Sequence, residues 1–189
     1  MLDWAYCLKF DIKLYCFCNY YLPIKLKQMP VAYCQTPLGI TRITEDEGFI
    51  SAVSALNEDH DITPAPTPLL QMAVNQLNEY FAGTRKIFDL PIKQPGTAFQ
   101  QKVWEQLMLI NYGSTISYAQ QSALMNDPLA IRAIAAANGK NNLWIVVPCH
   151  RVIGSNGSLT GYAGGLWRKQ WLLEHEARVL GVGQTKLNF

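Results

Sequence analysis

Three successive runs, VAYCQT from Val31, GITRIT from Gly39 and GFISAVSAL from Gly48, alternate apolar with polar positions. A period of two belongs to strands with one buried face. The turn signals Pro37-Leu38-Gly39 and Glu45-Asp46-Glu47-Gly48 separate these runs, so the pattern predicts a small antiparallel sheet ending near Leu56. HDITPAPTP then reads as a proline-punctuated loop. Leu70, Val74, Leu77 and Phe81 recur at helical spacing with Gly83 just past them, which predicts a helix. RKIFDLPIKQPG reads as a strand and linker, with a domain boundary near Pro95. Beyond it the period is helical. Thr97-Ala98-Phe99-Gln100 is a capping box opening a helix that buries Phe99, Val103, Leu107 and Ile110, and Ser117-Tyr118-Ala119-Gln120 is a second, starting a short helix through about Met125. Asp127-Pro128 supplies an N-cap and a first-turn proline for LAIRAIAAAN, which stops at Asn138-Gly139. LWIVV reads as a short strand ending at Pro148, and Gly164-Gly165 precede a last helix, LWRKQWLLEHEARVL. The expected fold is α/β (α+β): a small N-terminal antiparallel sheet plus helix, then a mostly helical part with a helix-turn-helix and an active-site strand-turn. Residues 29–95 and 96–189 are the two expected domains, and 1–28 an extension before them.

Composition narrows the classes. The chain has 189 residues, 49% hydrophobic and 16% charged, enough apolar material for a core and too much for a disordered chain. No apolar run approaches the roughly 20 residues a membrane-spanning helix needs. Net charge is only +2, but Arg132, Lys140, Arg151, Arg168, Lys169 and Arg178 stand against Glu174 and Glu176, so residues 128–178 carry +4. A polyanion is expected to dock on that part of the chain. Five cysteines (Cys7, Cys16, Cys18, Cys34, Cys149) form no disulfide-like spacing, no C-x-x-C pair is present, and His60, His150 and His175 are scattered. This favours a reducing, cytoplasmic setting and no metal. Residues 1–28, with Asp3, Lys9, Asp11 and Lys13 interrupting their apolar positions, lack the form of a signal peptide and read as an extension with no catalytic part.

Candidate chemistry centres on Pro148-Cys149-His150-Arg151. A lone cysteine is usually a buried, inert thiol. Here an imidazole and a guanidinium follow it directly, and both can favour thiolate, which makes Cys149 a candidate nucleophile. Neighbours on an extended backbone point apart, so His150 would address Cys149 only through a turn or a bridging water. Glu176 follows Leu172 by four positions and Leu173 by three, on their apolar side, where a carboxylate needs a partner such as a nearby histidine. Alone it would read as a solvated glutamate near a helix end. The two short helices around Asn126 are a helix-turn-helix candidate. Ala133, Ala135, Ala136 and Ala137 leave the second helix thin, with Arg132 as its one long cation; close approach to a DNA groove and tight packing on the core are equally good readings of the alanines.

IVVPCHRVIG followed by NGSLTGYAGGLWRKQWLLEHE resembles the active-site region of the O6-alkylguanine-DNA alkyltransferases, the methylated-DNA–protein-cysteine methyltransferases. GTAFQQKVWEQL, GSTISYAQQSA and IRAIAAANGKN resemble the same family in the same order, so the likeness runs from about Gly96 to Glu176. Residues 31–94 resemble the family's variable N-terminal domain only in length and in the TPLG turn. The resemblance implies DNA repair by irreversible, stoichiometric transfer of an alkyl group from guanine O6 to Cys149, with no cofactor. His150 would take the thiol proton through a water and Glu176 would orient His150. Tyr118 would hydrogen-bond guanine O6 and help rotate the nucleotide out, and Arg132 would fill the vacated space while its helix lies in the minor groove. Asn141 would fix the turn behind the cysteine, the backbone at Val152 and Ala163 would line the guanine pocket, and Asp127 and Ser155 would approach the DNA backbone, with Arg151 structural. The partner would be double-stranded DNA carrying O6-alkylguanine, and a stoichiometric acceptor is expected to be a monomer.

Two departures from the family pattern matter. Asn142 replaces the proline common after Asn141, which would loosen that turn, and Ala163 stands where some members carry serine. The competing classes are a non-catalytic, lesion-binding or regulatory helix-turn-helix protein and an unrelated cysteine hydrolase. Cys149, absent from members that bind lesions without repairing them, argues against the first. The adjacency of Cys149 and His150 argues against a thiol protease, whose pair is distant in sequence.

Overall fold

The computed structural model describes residues 29–181; the extension 1–28, with Cys7, Cys16 and Cys18, lies outside the described residues, as does 182–189. Strands β1 (Val31–Thr36), β2 (Gly39–Asp46) and β3 (Phe49–Ala55) pair antiparallel in sequence order. The alternation that predicts them sets their faces: Ala32, Cys34 and Thr36 of β1 are buried while Gln35 is exposed. A register shift between Thr44 and Glu45 bends β2. Helix α1 (Pro68–Phe81) packs across all three strands, capped by Thr67, whose hydroxyl accepts from the Leu70 N–H. Its buried stripe is Leu70, Ala73, Leu77 and Tyr80, not the expected line through Val74 and Phe81, which are only partly covered. The small shift in the helix face brings a tyrosine into the core.

The stretch RKIFDLPIKQPG forms no strand. Ile92 makes one isolated bridge to Ile50, and Pro91, lacking an N–H, cannot extend it into a ladder. Both capping boxes form as predicted. Thr97 and Gln100 open α2 (Ala98–Met108), and Ser117 and Gln120 open α3 (Tyr118–Leu124). Ile110 is buried but lies beyond α2.

The next helix, α4 (Ile131–Asn138), starts later than the Asp127-Pro128 signal predicts, and its N-cap, Ala130, makes no side-chain cap bond. Asp127 is held by α3 instead: its N–H donates to the Ser122 carbonyl at 3.1 Å and its own carbonyl accepts from the Ser122 hydroxyl. It therefore completes the turn between the helices. Ala133, Ala135 and Ala136 face outward with Arg132, whereas Ile134 and Ala137 are buried. The thin outer surface, left open by the sequence, is real.

LWIVV is not a strand. All five residues are buried, and the chain coils through short-range bonds such as Val146 N–H to Trp144 O at 2.8 Å. Ile145 sits at φ 68°, a conformation that costs a β-branched residue about 1–3 kcal/mol and persists only where surroundings over-determine it. Those surroundings include β3. Val53 donates to Asn142 O at 2.8 Å and accepts from Trp144 N–H at 3.2 Å. An apolar run buried on every side carries no alternation to enforce a strand, and contact with β3 is one bridge long.

Two short strands, β4 (Ile116–Ser117) and β5 (Val152–Ile153), pair in parallel and set the start of α3 beside the Cys149 segment. Helix α5 (Leu166–Val179) closes the fold. Its Arg168 is buried and reaches the N-terminal sheet, donating to Leu38 O at 2.9 Å, Asn57 Oδ1 at 3.1 Å and Leu56 O at 3.3 Å. No helix among the described residues is long and apolar enough to cross a membrane, and no three histidine, cysteine or carboxylate side chains cluster as metal ligands there.

Candidate active site

Cys149, His150 and Arg151 occupy one turn of 3₁₀-helix between Pro148 and β5. On this turn the two neighbouring side chains go different ways. Cys149 lines a cavity of about 310 Å3, and His150 is fully buried against α5. The cavity wall also includes Tyr118, Asn141, Tyr162 and Ala163, the end of α4 at Asn138 and Gly139, and residues 52–55 of β3.

Asn141 is pinned on every side. Its amide donates to Val147 O at 2.8 Å and to Cys149 Sγ at 3.3 Å, while its Oδ1 accepts from Leu143 N–H at 3.0 Å and Gln94 Nε2 at 3.1 Å. Asn142 does not loosen this turn: its N–H, which a proline would lack, donates to Gln94 Oε1 at 2.8 Å.

Behind the cysteine, His150 Nε2 lies 2.8 Å from Glu176 Oε1. Glu176 is fully buried and is the hub of a network. Arg151 donates to both its oxygens (3.0 Å from Nη2 to Oε1, 3.1 Å from Nε to Oε2), Tyr80 Oη donates to Oε1 at 2.8 Å, and Gly113 N–H donates to Oε2 at 2.7 Å. Gly113 has φ 72° and lies so close to Leu180 that a Cβ would meet it at 2.2 Å, so glycine is what lets this N–H reach the carboxylate. Burial works against ionisation of Glu176, but the His150 hydrogen bond and the charge and hydrogen bonds of Arg151 outweigh it and hold the carboxyl far below its ordinary range. Burial, helped by the positive charge of Arg151 and Lys169 and opposed by Glu176, lowers the His150 imidazole and keeps it neutral. With Nε2–H given to the carboxylate, Nδ1 is the basic atom, and it has no protein hydrogen-bond partner.

The expected source of thiolate character is corrected. Burial pushes the Cys149 thiol up, and the groups opposing this are Asn141 and Lys169, not His150 and Arg151. Cys149 is thus a thiol awaiting a base. Burial likewise raises the Tyr118 phenol, which stays a proton donor at the cavity wall.

Cys149, Tyr118, Asn141 and Ala163 meet at the cavity, and His150 and Glu176 form the pair behind it. Val152 is not in the cavity wall; it is fully buried, and its carbonyl accepts from Lys169 Nζ at 2.6 Å. Arg132, Asp127 and Ser155 are exposed and lie outside the wall. Arg132 is six residues from the cavity end of α4, about 9 Å along a helix. Tyr80 and the β3 lining have no counterpart in the sequence pattern, and Lys169, counted there with Arg151 and Arg168 in the basic patch for a polyanion, is buried like both of them, so that patch does not face solvent as a whole. Lys169 bridges Val152 O and Thr160 O, and burial lowers it to about 8. Its place one turn before Leu172 and Leu173, like that of Glu176 one turn after them, was the available signal.

A neutral histidine paired with a buried carboxylate behind a cavity-lining thiol, beside two short helices of which the second is thin, has the form of a base-assisted cysteine site next to a helix pair. Comparison with known proteins narrows it. Residues 98–178 match the model of the 6-O-methylguanine DNA methyltransferase DNA-binding domain and residues 29–94 that of the ribonuclease-like domain of the same proteins. The chain is 49% identical over 138 residues to the constitutive methylated-DNA–protein-cysteine methyltransferase of Bacillus subtilis, covering 69% of this chain and 84% of that protein. It is 52% identical over 107 residues to the Shigella flexneri protein of that name, covering 56% of this chain and 63% of the relative. The crystal structure of Mycobacterium tuberculosis O6-methylguanine methyltransferase superposes with a TM-score of 0.72 at 39% identity, covering 80% of this chain and 94% of that one, and a structure of the mycobacterial protein in complex with DNA also scores 0.72, at 40% identity. The chain belongs to the O6-methylguanine-DNA methyltransferase family.

Proposed function

We propose that Cys149 is the alkyl acceptor and O6-alkylguanine in double-stranded DNA its substrate. The protein binds DNA and repairs it by alkyl transfer to a cysteine of its own. In our reading the thiol proton passes to His150 Nδ1 through a water, and sulfur attacks the alkyl carbon in line with the departing oxygen. The C–O6 bond breaks as the C–S bond forms, while Tyr118 donates a proton to the guanine oxygen. Glu176 orients His150 and stabilises its protonated form, and Asn141 holds the loop and the sulfur. Arg132 occupies the stack vacated by the flipped nucleotide, with the alanine face of α4 in the minor groove and Asp127 and Ser155 near the backbone. Ala163 borders the guanine. A thioether does not revert under these conditions, so each molecule reacts once and needs no cofactor, acting as a monomer in the cytoplasm. The division into units 29–95 and 96–189 belongs to this reading. The observation that carries it is the joint placement of Cys149 at a cavity beside Tyr118 and Asn141 and of the His150–Glu176 pair, at 2.8 Å, directly behind.

The test is intact mass and peptide mapping after incubation with a duplex bearing one O6-methylguanine. One added methylene on the Cys149 peptide, ceasing at one equivalent and absent in Cys149→Ala, is expected. DNA binding by the folded wild type with no mass change would establish a lesion-binding protein without repair.

A further inference from the structure

The carboxylate behind the base of the proposed relay receives a hydrogen bond from the other half of the molecule. Tyr80 lies in the last turn of α1, is completely buried, and sends its Oη 2.8 Å to Glu176 Oε1, 96 residues further along the chain. The oxygen it reaches is the one that holds His150 Nε2, also at 2.8 Å. Its ring is held by Phe81, Phe88, Tyr112 and His175 at centroid distances of 5.4–5.9 Å, and its backbone carbonyl pairs with His175 Nε2 at 2.8 Å, so the hydroxyl is fixed in aim. Packing needs only the ring; the hydroxyl serves the carboxylate.

We propose that Tyr80 is a positioning residue for alkyl transfer, a phenol supplied by the N-terminal part of the chain that shares Glu176 Oε1 with His150 and so limits how strongly the carboxylate draws on the imidazole. This rests on the reading of His150 as the base. Each donor on an oxygen weakens what it offers to the others. With the phenol present, the imidazole stays neutral and able to accept the thiol proton; without it, the His150–Glu176 bond tightens and the imidazole holds a proton to higher pH. Other groups act on the same pair and remain unchanged in a Tyr80 variant. These are Arg151 on the 3₁₀ turn and Lys169 on α5, which bear on His150, and Tyr112 after α2 and Tyr162 beside the cavity, which bear on Glu176; His175 packs on the Tyr80 ring itself, and Cys149 adjoins His150 in the chain. Burial and the negative charge of Glu176 raise Tyr80 itself well above the ordinary phenol range, so it stays a donor at every working pH.

Tyr80→Phe keeps the ring and removes the donor. Site-specific fluorotyrosine at position 80 keeps the shape and strengthens the donor. The experiment is a 15N NMR titration of His150 in the wild type and both variants, beside single-turnover methyl transfer from the O6-methylguanine duplex across pH. We expect the His150 titration and the acid limb of the transfer rate to move up in Tyr80→Phe, on the order of one pH unit. Both should move down with fluorotyrosine, at unchanged duplex affinity. A His150 titration that stays put in both variants, or moves the same way in both, overturns the proposal, because loss of packing has no reason to follow donor strength. Transfer absent in the wild type with the opposed shifts present would remove the relay reading and leave the coupling standing.

Discussion

Glu176 gathers four donor residues from three parts of the chain: Tyr80 of α1, Gly113, and His150 and Arg151 of the 3₁₀ turn. Removing its charge leaves Arg151 buried against a neutral amide, so Glu176→Gln is expected to lose about 3–5 kcal/mol of stability at neutral pH, together with alkyl transfer. The pH dependence of that loss has a definite sign. A carboxyl whose folded-state affinity for protons is depressed stabilises the fold above its unfolded value, here 4.5, and loses that contribution as the pH falls toward its much lower folded value. Urea unfolding followed from pH 7 downward should therefore show wild type and variant converging below about 4.5; a constant gap would mean that the glutamate's charge is not what the network uses. At this scale the sequence marks Cys149 and His150 by their adjacency, whereas Glu176 taken alone reads as a solvated glutamate and only the family resemblance joins it to His150. Tyr80 and Lys169 are not marked, because an aromatic or a lysine on a helix looks the same whether it points to solvent or to a buried oxygen.

The element that brings Tyr118 to the cavity wall is α3. Tyr118 is its first residue, and the Ser117–Gln120 capping box fixes where the helix begins, with Gln120 N–H to Ser117 Oγ at 3.1 Å and Ser117 N–H to Gln120 Oε1 at 2.7 Å. Thr97 and Gln100 make the same motif on α2, away from the cavity. Ser117→Ala and Thr97→Ala should each cost about 1 kcal/mol. Only Ser117→Ala is expected to slow methyl transfer beyond what the stability loss explains, since it frees the turn carrying Tyr118; equal transfer rates in the two variants would count against a positional role for the cap. Caps and alternation were readable because they are local. LWIVV misleads because a wholly apolar run has no face, and Asp127-Pro128 because the Asp127 backbone is tied to Ser122 and closes a turn with Ala130 before the helix begins.

Across the whole molecule, the two halves share more than a surface. β3 supplies residues 52–55 to the cavity wall and pairs with the coil before Cys149, and Arg168 returns from α5 to carbonyls around the N-terminal sheet. The Arg168 guanidinium is buried with carbonyl and amide oxygens as its hydrogen-bond acceptors, so Arg168→Ala should destabilise the protein by about 3 kcal/mol. Because β3 still lines the cavity and bridges to the coil before Cys149, chemical unfolding of the variant is expected to remain one transition at lower midpoint. Separation into two transitions would show that Arg168 is what couples the halves.

The line between sequence and tertiary structure follows the range of the forces. Strand alternation, capping boxes, the helical pair and the Pro148–Arg151 motif rest on neighbours within one or two turns, so the linear pattern contains them, and with them the family and its chemistry. The coiling of residues 143–147 and the donors that meet on Glu176 depend on groups up to 96 residues apart. Burial decides there which polar atoms must find partners, and only the packed chain brings those partners within reach.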